Sequence, residues 1–509
     1  MVTPRLPQER PTPQSSSLQG ISPQGPSLQR ASPQGISPQG SSPQGSSPQG
    51  SSPQGSSPQS QPQLRLPEQN QHEQNQPKHR LSQSALDIPR SGIRDVFDRV
   101  DAVPDAISLC VGEPSDTAAP HIVEAACASM RNGQTKYTNI LGIEEFRTAV
   151  ARYSAEVKGL RYDPRAEIQA VDGATMGLFL ALKTVVGPGD EVIIPSPFFT
   201  SYDAEVMLCG ADVITVPLRA QHHMQLNADD IERAITPRTK AVILNSPGNP
   251  SGAVTPAEEL RRIAAVCIRH DIWAISDEVY HPYVFGSAAN PVVPSAQANP
   301  VVPPPQEAAL TAAMPAAPSI AGIPGMKERT IVVESLSKTF AMTGWRIGYL
   351  LAPDAVIEQT AKIAELMHSS VNATAQYGAV AALTGPRDHI ESMRRHYDHN
   401  RSIVLNALRE TNGLNAIDPQ GAFYAFVDIR RTGMDSETFS TRLLHDEHVA
   451  VVPGNAFGAV GEGFIRLSYA GDTQELTEAM MRLRRFAATH TPPVFARHTR
   501  AFHPVEMMA

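Results

Sequence analysis

The sequence predicts an α/β fold. Through the middle of the chain, apolar runs of strand length alternate with amphipathic helical stretches, and glycine, proline and small polar residues punctuate the junctions. A second observation bounds the folded part: residues 1–88 are mostly Pro, Gln, Ser and Gly, with almost nothing to bury. The 509 residues leave room for two or three domains and a large core. Hydrophobic residues make up 41% and charged residues 18%, and the net charge of −8 comes with no basic stripe, which argues against a nucleic-acid partner. No apolar run is long enough to span a bilayer, and the first twenty residues lack the apolar segment of a secretory signal. Cys110, Cys127, Cys209 and Cys267 stand apart without metal-ligand spacing, so buried reduced thiols, no metal and a cytoplasmic location are expected.

In chain order, a five-residue repeat of Ser-Pro-Gln-Gly-Ser type runs from Ser32 to Gln59 within an extension expected to be disordered, because it cannot offset its ordering entropy. Ser91 to Phe97 reads as a short amphipathic helix, and Ala106 to Val111 as a strand halted by Gly112-Glu113-Pro114. Helices are expected over His121–Met130 and Glu144–Lys158, with Lys136 to Gly142 as a loop that carries Tyr137. Ile168 to Phe179 runs strand, small-residue turn, helix, which presents free backbone amides at a positive helix end. Glu191–Pro195 is a buried strand that leads into Phe198, Phe199 and Tyr202, and Ala241–Asn245 another that leads into the turn Asn249-Pro250-Ser251-Gly252. After a helix over Pro256–His270, Ile272–Ser276 ends at Asp277, a carboxylate that needs a partner if it is buried. The Ala/Pro-rich stretch at about 286–327 is expected to be a surface insertion, since a long loop closes at small extra cost. Thr330–Val333 is a strand that gives way to Ser335 and Lys338, with Arg346 eight residues further on and Gly344 and Gly348 to admit close backbone approach. Helices over Pro353–Met367 and Gln376–Leu383 precede three strands near Phe423, Val449 and Ile465, the last of which holds Arg466.

Together these motifs resemble the pyridoxal-phosphate aminotransferases of fold type I, class I/II, over roughly Ile93 to Phe486. The resemblance implies a large domain with a mostly parallel sheet and a discontinuous small α/β domain. The corresponding division is 89–130 for the N-terminal arm and part of the small domain, and 131–355 for the large cofactor-binding domain. Residues 356–490 would form the linking helix and the rest of the small domain, with 491–509 as a tail. It also implies the cofactor pyridoxal 5′-phosphate, bound as an imine to Lys338. Ser335, Arg346, Ala174 and Thr175 would hold its phosphate, and Phe199 would stack on the ring. Asp277 would pair with the pyridine nitrogen, while Tyr280 and Asn249 would reach the ring hydroxyl. Gly112, Asn249 and Arg466 would receive the substrate carboxylate, and Tyr137 would cross a homodimer interface to the neighbouring phosphate.

By the same resemblance, Lys338 is the Schiff-base lysine and proton shuttle of a ping-pong reaction that moves an amino group from an L-amino acid to a 2-oxo acid. Some aspartate-specific relatives place a lysine where Thr175 stands, so glutamate with 2-oxoglutarate and an aromatic or neutral amino acid are the expected half-reactions. Two other readings share the cofactor residues: a β-lyase or aminocyclopropane-carboxylate synthase-like enzyme, and a non-enzymatic effector-sensing domain. The run Thr339 to Arg346 is more similar to the aminotransferases, and nothing before residue 90 has the helical periodicity or basic charge of a DNA-binding module.

Overall fold

The computed structural model describes residues 81–90, 92–288 and 314–491. The expected disordered extension lies outside these as far as residue 80, and so do the middle of the expected insertion and residues 492–509. Residues 83–87, inside that extension, form a short helix, Gln83–Asp87, whose Ser82 cap accepts from the amide of Ala85.

Thirteen strands are present among the described residues: β1 (Ile107–Ser108), β2 (Ile168–Val171), β3 (Glu191–Ser196), β4 (Asp212–Pro217), β5 (Thr239–Asn245), β6 (Trp273–Asp277), β7 (Thr330–Ser335), β8 (Gly348–Leu351), β9 (Asn415–Ile417), β10 (Tyr424–Asp428), β11 (Val449–Ala450), β12 (Val452–Pro453) and β13 (Phe464–Ser468). Seven form the main sheet in the order β2-β8-β7-β6-β5-β3-β4, in which β8 alone runs antiparallel to its neighbours. This is the α/β architecture read from the alternation of strands and helices. The central strands β3, β6 and β7 are buried along nearly their whole length because helices cover both faces, and for that reason they read as apolar runs without alternation. A second, antiparallel sheet has the order β12-β13-β10-β9, and β11 pairs with β1 from the other end of the chain.

Several elements differ from the sequence reading. Strands β4 and β8 went unrecognised: β4 is a half-exposed strand beginning with Asp212, and β8 is four residues directly behind the lysine loop. Helices Asp388–Arg409 and Ser436–Glu447 pack on the smaller sheet, and Thr473–His490 packs on both helices and on β1 and β11; the sequence reading contains none of the three. Helix Pro120–Arg131, expected partly with the small domain, packs against Ala373–Thr384, which in turn packs on Glu144–Lys158. Residues 314–327, expected as the end of a surface insertion, turn inward. Ala316, Ala317, Ile320 and Met326 are buried, and the amide of Ala317 donates to the carbonyl of His281. Their small apolar side chains resemble a loop in composition, yet they fill the space beside the turn after β6.

The two glycines beside the lysine segment behave differently. A side chain at Gly348 would place its Cβ 2.4 Å from the carbonyl oxygen of Glu334 and 3.3 Å from the backbone of Gly173, so this glycine lets β7, β8 and the start of helix Gly173–Val185 close on one another. Gly344 meets nothing within 4 Å, and the expected close approach does not occur there. Gly348→Ala should therefore lower stability by about 1–3 kcal/mol through overpacking against backbone, while Gly344→Ala should stay within about 0.5 kcal/mol of the parent. Urea denaturation midpoints of the two variants check this, and equal midpoints would contradict the steric account.

Candidate active site

In open α/β sheets, ligands bind beyond the carboxyl ends of the parallel strands. Here β5 ends at Asn245, β6 at Asp277 and β7 at Ser335, and all three line one cavity of about 240 Å³. Gly112, Ala174, Thr175, Phe199, Asn249, Tyr280, Lys338, Arg346 and Arg466 line it as well, so every site residue expected from the sequence is brought together except Tyr137. Tyr137 is 88% exposed and lies outside the cavity lining of this chain.

Helix Gly173–Val185 opens with Gly173, Ala174 and Thr175, whose amides lack acceptors within the helix. The guanidinium of Arg346, two residues before β8, comes to them: its Nη2 donates to the carbonyl of Asp172 at 3.4 Å and lies 2.5 Å from where a Cβ on Gly173 would sit. Arg346 has φ +51°, in the left-handed region, which turns its side chain back to this helix end. The hydroxyl of Ser335 caps the short helix Leu336–Thr339, accepts from the amide of Ser337 at 3.0 Å and faces the same cavity. A guanidinium, a hydroxyl and a positive helix end thus converge as an anion cradle.

On the opposite side, Asp277 is buried and accepts a 2.5 Å hydrogen bond from the hydroxyl of Tyr202. Burial pushes its carboxyl up to about 6, against the Tyr202 hydroxyl and the amide of Val279, so a nearby cation would find here a carboxylate that gains from being paired. Phe199 stands beside the cradle, edge to face with Tyr202 at 5.7 Å. The hydroxyl of Tyr280 is 2.9 Å from that of Tyr424. Lys338 sits between these groups, and its Nζ donates to the carbonyl of Gly112 at 2.7 Å. Burial pulls its ammonium down to about 8, Arg346 and Arg466 add to the effect, and Glu113 and Asp277 oppose it.

Arg466 is 1% exposed. Its Nη1 donates to Asn249 Oδ1 at 3.1 Å and its Nη2 to the carbonyl of Cys110 at 2.5 Å, while Nε is buried without a partner. The rings of Tyr424 and Phe457 flank the guanidinium at 4.6 and 4.9 Å. Among the described residues no carboxylate pairs with it, and burial pulls its pKa down. A buried cation held only by neutral oxygens is adapted to receive an anion from outside the chain. The residues present therefore fit pyridoxal phosphate and a carboxylate substrate together: a cradle for one anion, Arg466 for a second, and Asp277 for a cationic ring nitrogen.

Four contributors escaped the sequence reading. Tyr202 and Tyr424 were visible as aromatic residues after a strand and inside one, but only a buried hydroxyl's need for a partner hinted at their roles. Ile93 and Phe97, from helix Gly92–Val100, form an apolar side of the cavity, and only the amphipathic pattern of that helix signalled a buried face.

The family model for aminotransferase class I and II matches residues 104–483. The chain is 37% identical over 398 residues to the aromatic-amino-acid aminotransferase 2 of Thermococcus litoralis, which covers 78% of this chain and 95% of that one. It is likewise 37% identical over 398 residues to the aspartate aminotransferase of Pyrococcus abyssi, with the same 78% and 95% coverage. Among solved structures, the aspartate aminotransferase from Thermus thermophilus with maleate superposes with a TM-score of 0.71 at 33% identity, over 80% of this chain and 99% of that one.

The lowered pKa of Lys338 has a direct readout. Because its neutral amine is the reactive form, covalent uptake of pyridoxal 5′-phosphate by the cofactor-free protein, trapped with borohydride, should rise with pH around a midpoint of about 8. A midpoint near the ordinary lysine value would contradict the electrostatic description of the cavity.

Proposed function

The chain belongs to the class I and II aminotransferases, and on that premise we propose which residues carry its reaction, which amino acids it prefers and how it assembles. It is a pyridoxal 5′-phosphate-dependent aminotransferase acting on amino acids and 2-oxo acids. Ser335, Arg346 and the amides of Ala174 and Thr175 would hold the cofactor phosphate, with Asp277 at the ring nitrogen and Phe199 on the ring face. Tyr280 and Asn249 would stand at the ring hydroxyl, and Lys338 would be the covalent attachment point. When bound, the cofactor supplies an aldehyde that takes up the amino group and a protonated ring that accepts the electron pair left at Cα.

Arg466 and Asn249 grip the substrate α-carboxylate, which leaves the Cα–H bond only a limited choice of directions. Gly112 contributes its backbone to the same end of the cavity. Lys338 Nζ takes the proton from Cα and holds it within the cavity, a task eased by burial and, after it, by two guanidinium neighbours that favour the neutral amine. Tyr202 keeps Asp277 in place from the far side of the cavity. The observation that carries this reading is that Arg466 is buried in the same cavity as Lys338 with no carboxylate paired to it among the described residues.

For the donor, the lining favours aromatic or neutral amino acids; 2-oxoglutarate as the acceptor rests on the family resemblance and not on this lining. Among the described residues the cavity's cations are Lys338, Arg346 and Arg466, each assigned above, while Ile93 and Phe97 offer apolar surface and Thr175 offers no charge. The unpaired cysteines suit a reducing compartment, and we place the enzyme in the cytoplasm on that ground, to be checked by fractionation. Assembly as a homodimer is supported by the exposure of Tyr137 and Leu366, at 88% and 90%, and by the exposed position of Arg346 and Thr175 on the open side of the cradle. Tyr137 of a second copy would close that side.

An absorbance titration of the cofactor-loaded, full-length protein against a panel of amino acids tests the reaction. The visible band should be lost with the donor and restored by 2-oxoglutarate, with phenylalanine effective at lower concentration than aspartate. Ammonia release without recovery of the band would favour a lyase instead. Arg466→Ala should lower kcat/KM for the donor by about 10²- to 10³-fold, the range for removing one partner of a buried charge pair.

Light scattering should give twice the chain mass of 54.8 kDa, and Tyr137→Phe should weaken cofactor binding without changing that mass. A monomer that is fully active would remove the dimer from the account.

A further inference from the structure

Consecutive residues of a strand point to opposite faces of its sheet. At the end of β6, Asp277 lines the cavity and Glu278 turns to the far face; at the end of β7, Ser335 lines the cavity and Glu334 turns away. The two strand ends are paired in parallel, Asp277 opposite Val333, and the amide of Glu278 donates to the carbonyl of Val333 at 3.1 Å. On the far face, Lys158, the last residue of helix Glu144–Lys158, pairs with Glu278 and lies 2.6 Å from Glu334 Oε1. None of the three side chains is more than 4% exposed.

Hydroxyl and imidazole partners complete the cluster. Glu278 accepts from the hydroxyls of Ser276 and Ser319, both at 2.7 Å. Glu334 lies 3.1 Å from Nδ1 of His281, whose Nε2 is 2.9 Å from the hydroxyl of Tyr153. Burial opposes the charge on Lys158, but the two carboxylates outweigh it and push its pKa up; burial likewise opposes the charge on Glu334, and His281 and Lys158 outweigh it. A buried ion cluster gives no assured stability over apolar packing of the same volume, and its best-supported use is to specify one arrangement among several. This one ties a helix, two adjacent strand ends and the turn after β6 to a single ammonium. Its field also crosses the sheet, since Glu334 and Glu278 both help to raise the Asp277 carboxyl.

We infer that Lys158 is a positioning residue for the cofactor seat, setting Asp277 through Glu278 and Ser335 through Glu334, so that one cation behind the sheet keeps the ring-facing and phosphate-facing ends of the seat in register. This rests on the cofactor reading given above. The two legs are separable because pyridoxal lacks the phosphate that Ser335 serves.

The test measures dissociation constants of pyridoxal 5′-phosphate and of pyridoxal by absorbance, together with the Tm of each variant without ligand. Glu278→Gln should weaken both ligands about tenfold, whereas Glu334→Gln should weaken pyridoxal 5′-phosphate about tenfold and pyridoxal less than about twofold, in line with the loss of an outer partner at other sites. Lys158→Met should combine the two losses. If it does not fold, Lys158→Met with Glu334→Gln, which removes one charge of each sign, should show the same pattern, and Ser319→Ala should give a smaller loss for both ligands. Folded variants that bind both ligands like the parent, or that lose Tm alone, or an unchanged Ser319→Ala, would overturn the inference. A parent protein that bound neither ligand would instead remove the cofactor reading.

Discussion

A guanidinium kept out of water with no carboxylate paired to it among the described residues is the constraint around which this site is arranged. Arg466 comes from β13 of the smaller sheet, the carbonyl that holds it comes from Cys110 near β1, and the amide oxygen that holds it comes from Asn249 after β5. An uncompensated buried charge costs several kcal/mol, so the chain tolerates it only where neutral oxygens and aromatic faces share the load. Tyr424 and Phe457 supply those faces. The two sheets are therefore joined at the cavity by a group with one nitrogen still unpartnered, the place we propose for a substrate carboxylate.

Two lysines show how the same chemistry is set to opposite ends by surroundings. Lys338 and Lys158 are both withdrawn from water, which disfavours the ammonium in each case. At Lys338 burial prevails, because Arg346 and Arg466 offset Glu113 and Asp277, and its pKa falls, while Lys158 meets Glu278 and Glu334 and its pKa rises. The first becomes able to give up a proton near neutral pH; the second becomes a fixed charge. The carboxylates divide in the same way: Asp277, with only hydroxyl and amide donors, is pushed up, and Glu334, with Lys158 and His281 beside it, is held down. The sheet between them separates a face that lines the cavity from a face that carries a buried ion cluster.

Much of this was legible in the sequence because the reactive residues lie where strands end. Asp277, Asn249, Ser335 and Lys338 each follow an apolar run, and a polar residue at that position is conspicuous. What stayed hidden depends on pairing through space. Tyr202 and Asp277 are 75 residues apart, and Tyr280 and Tyr424 are 144 apart, so neither hydrogen bond leaves a local pattern. Strand β4, half-exposed and at the sheet edge, and the four-residue β8 were too weakly patterned to be recognised. Residues 314–327 misled for the opposite reason: alanine and proline suggest a loop, but alanine is small enough to be buried wherever a neighbour such as His281 offers backbone to bond.

The strand ends impose a coupling that neither face shows alone. Because β6 and β7 alternate, the residue that serves the cavity is chemically bonded to the residue that serves the foundation: Asp277 to Glu278, and Ser335 to Glu334. A change of charge behind the sheet thus moves the backbone that carries the cavity groups by the shortest path available, one peptide unit. Gly348 lies opposite Ser335 in the register of β7 and β8, and its missing side chain lets the anion cradle close on the same strand. The groups that line the cavity, the ion cluster behind them and the cradle therefore meet at a few residues of three neighbouring strands, β6, β7 and β8, and a shift at that junction must reach all three.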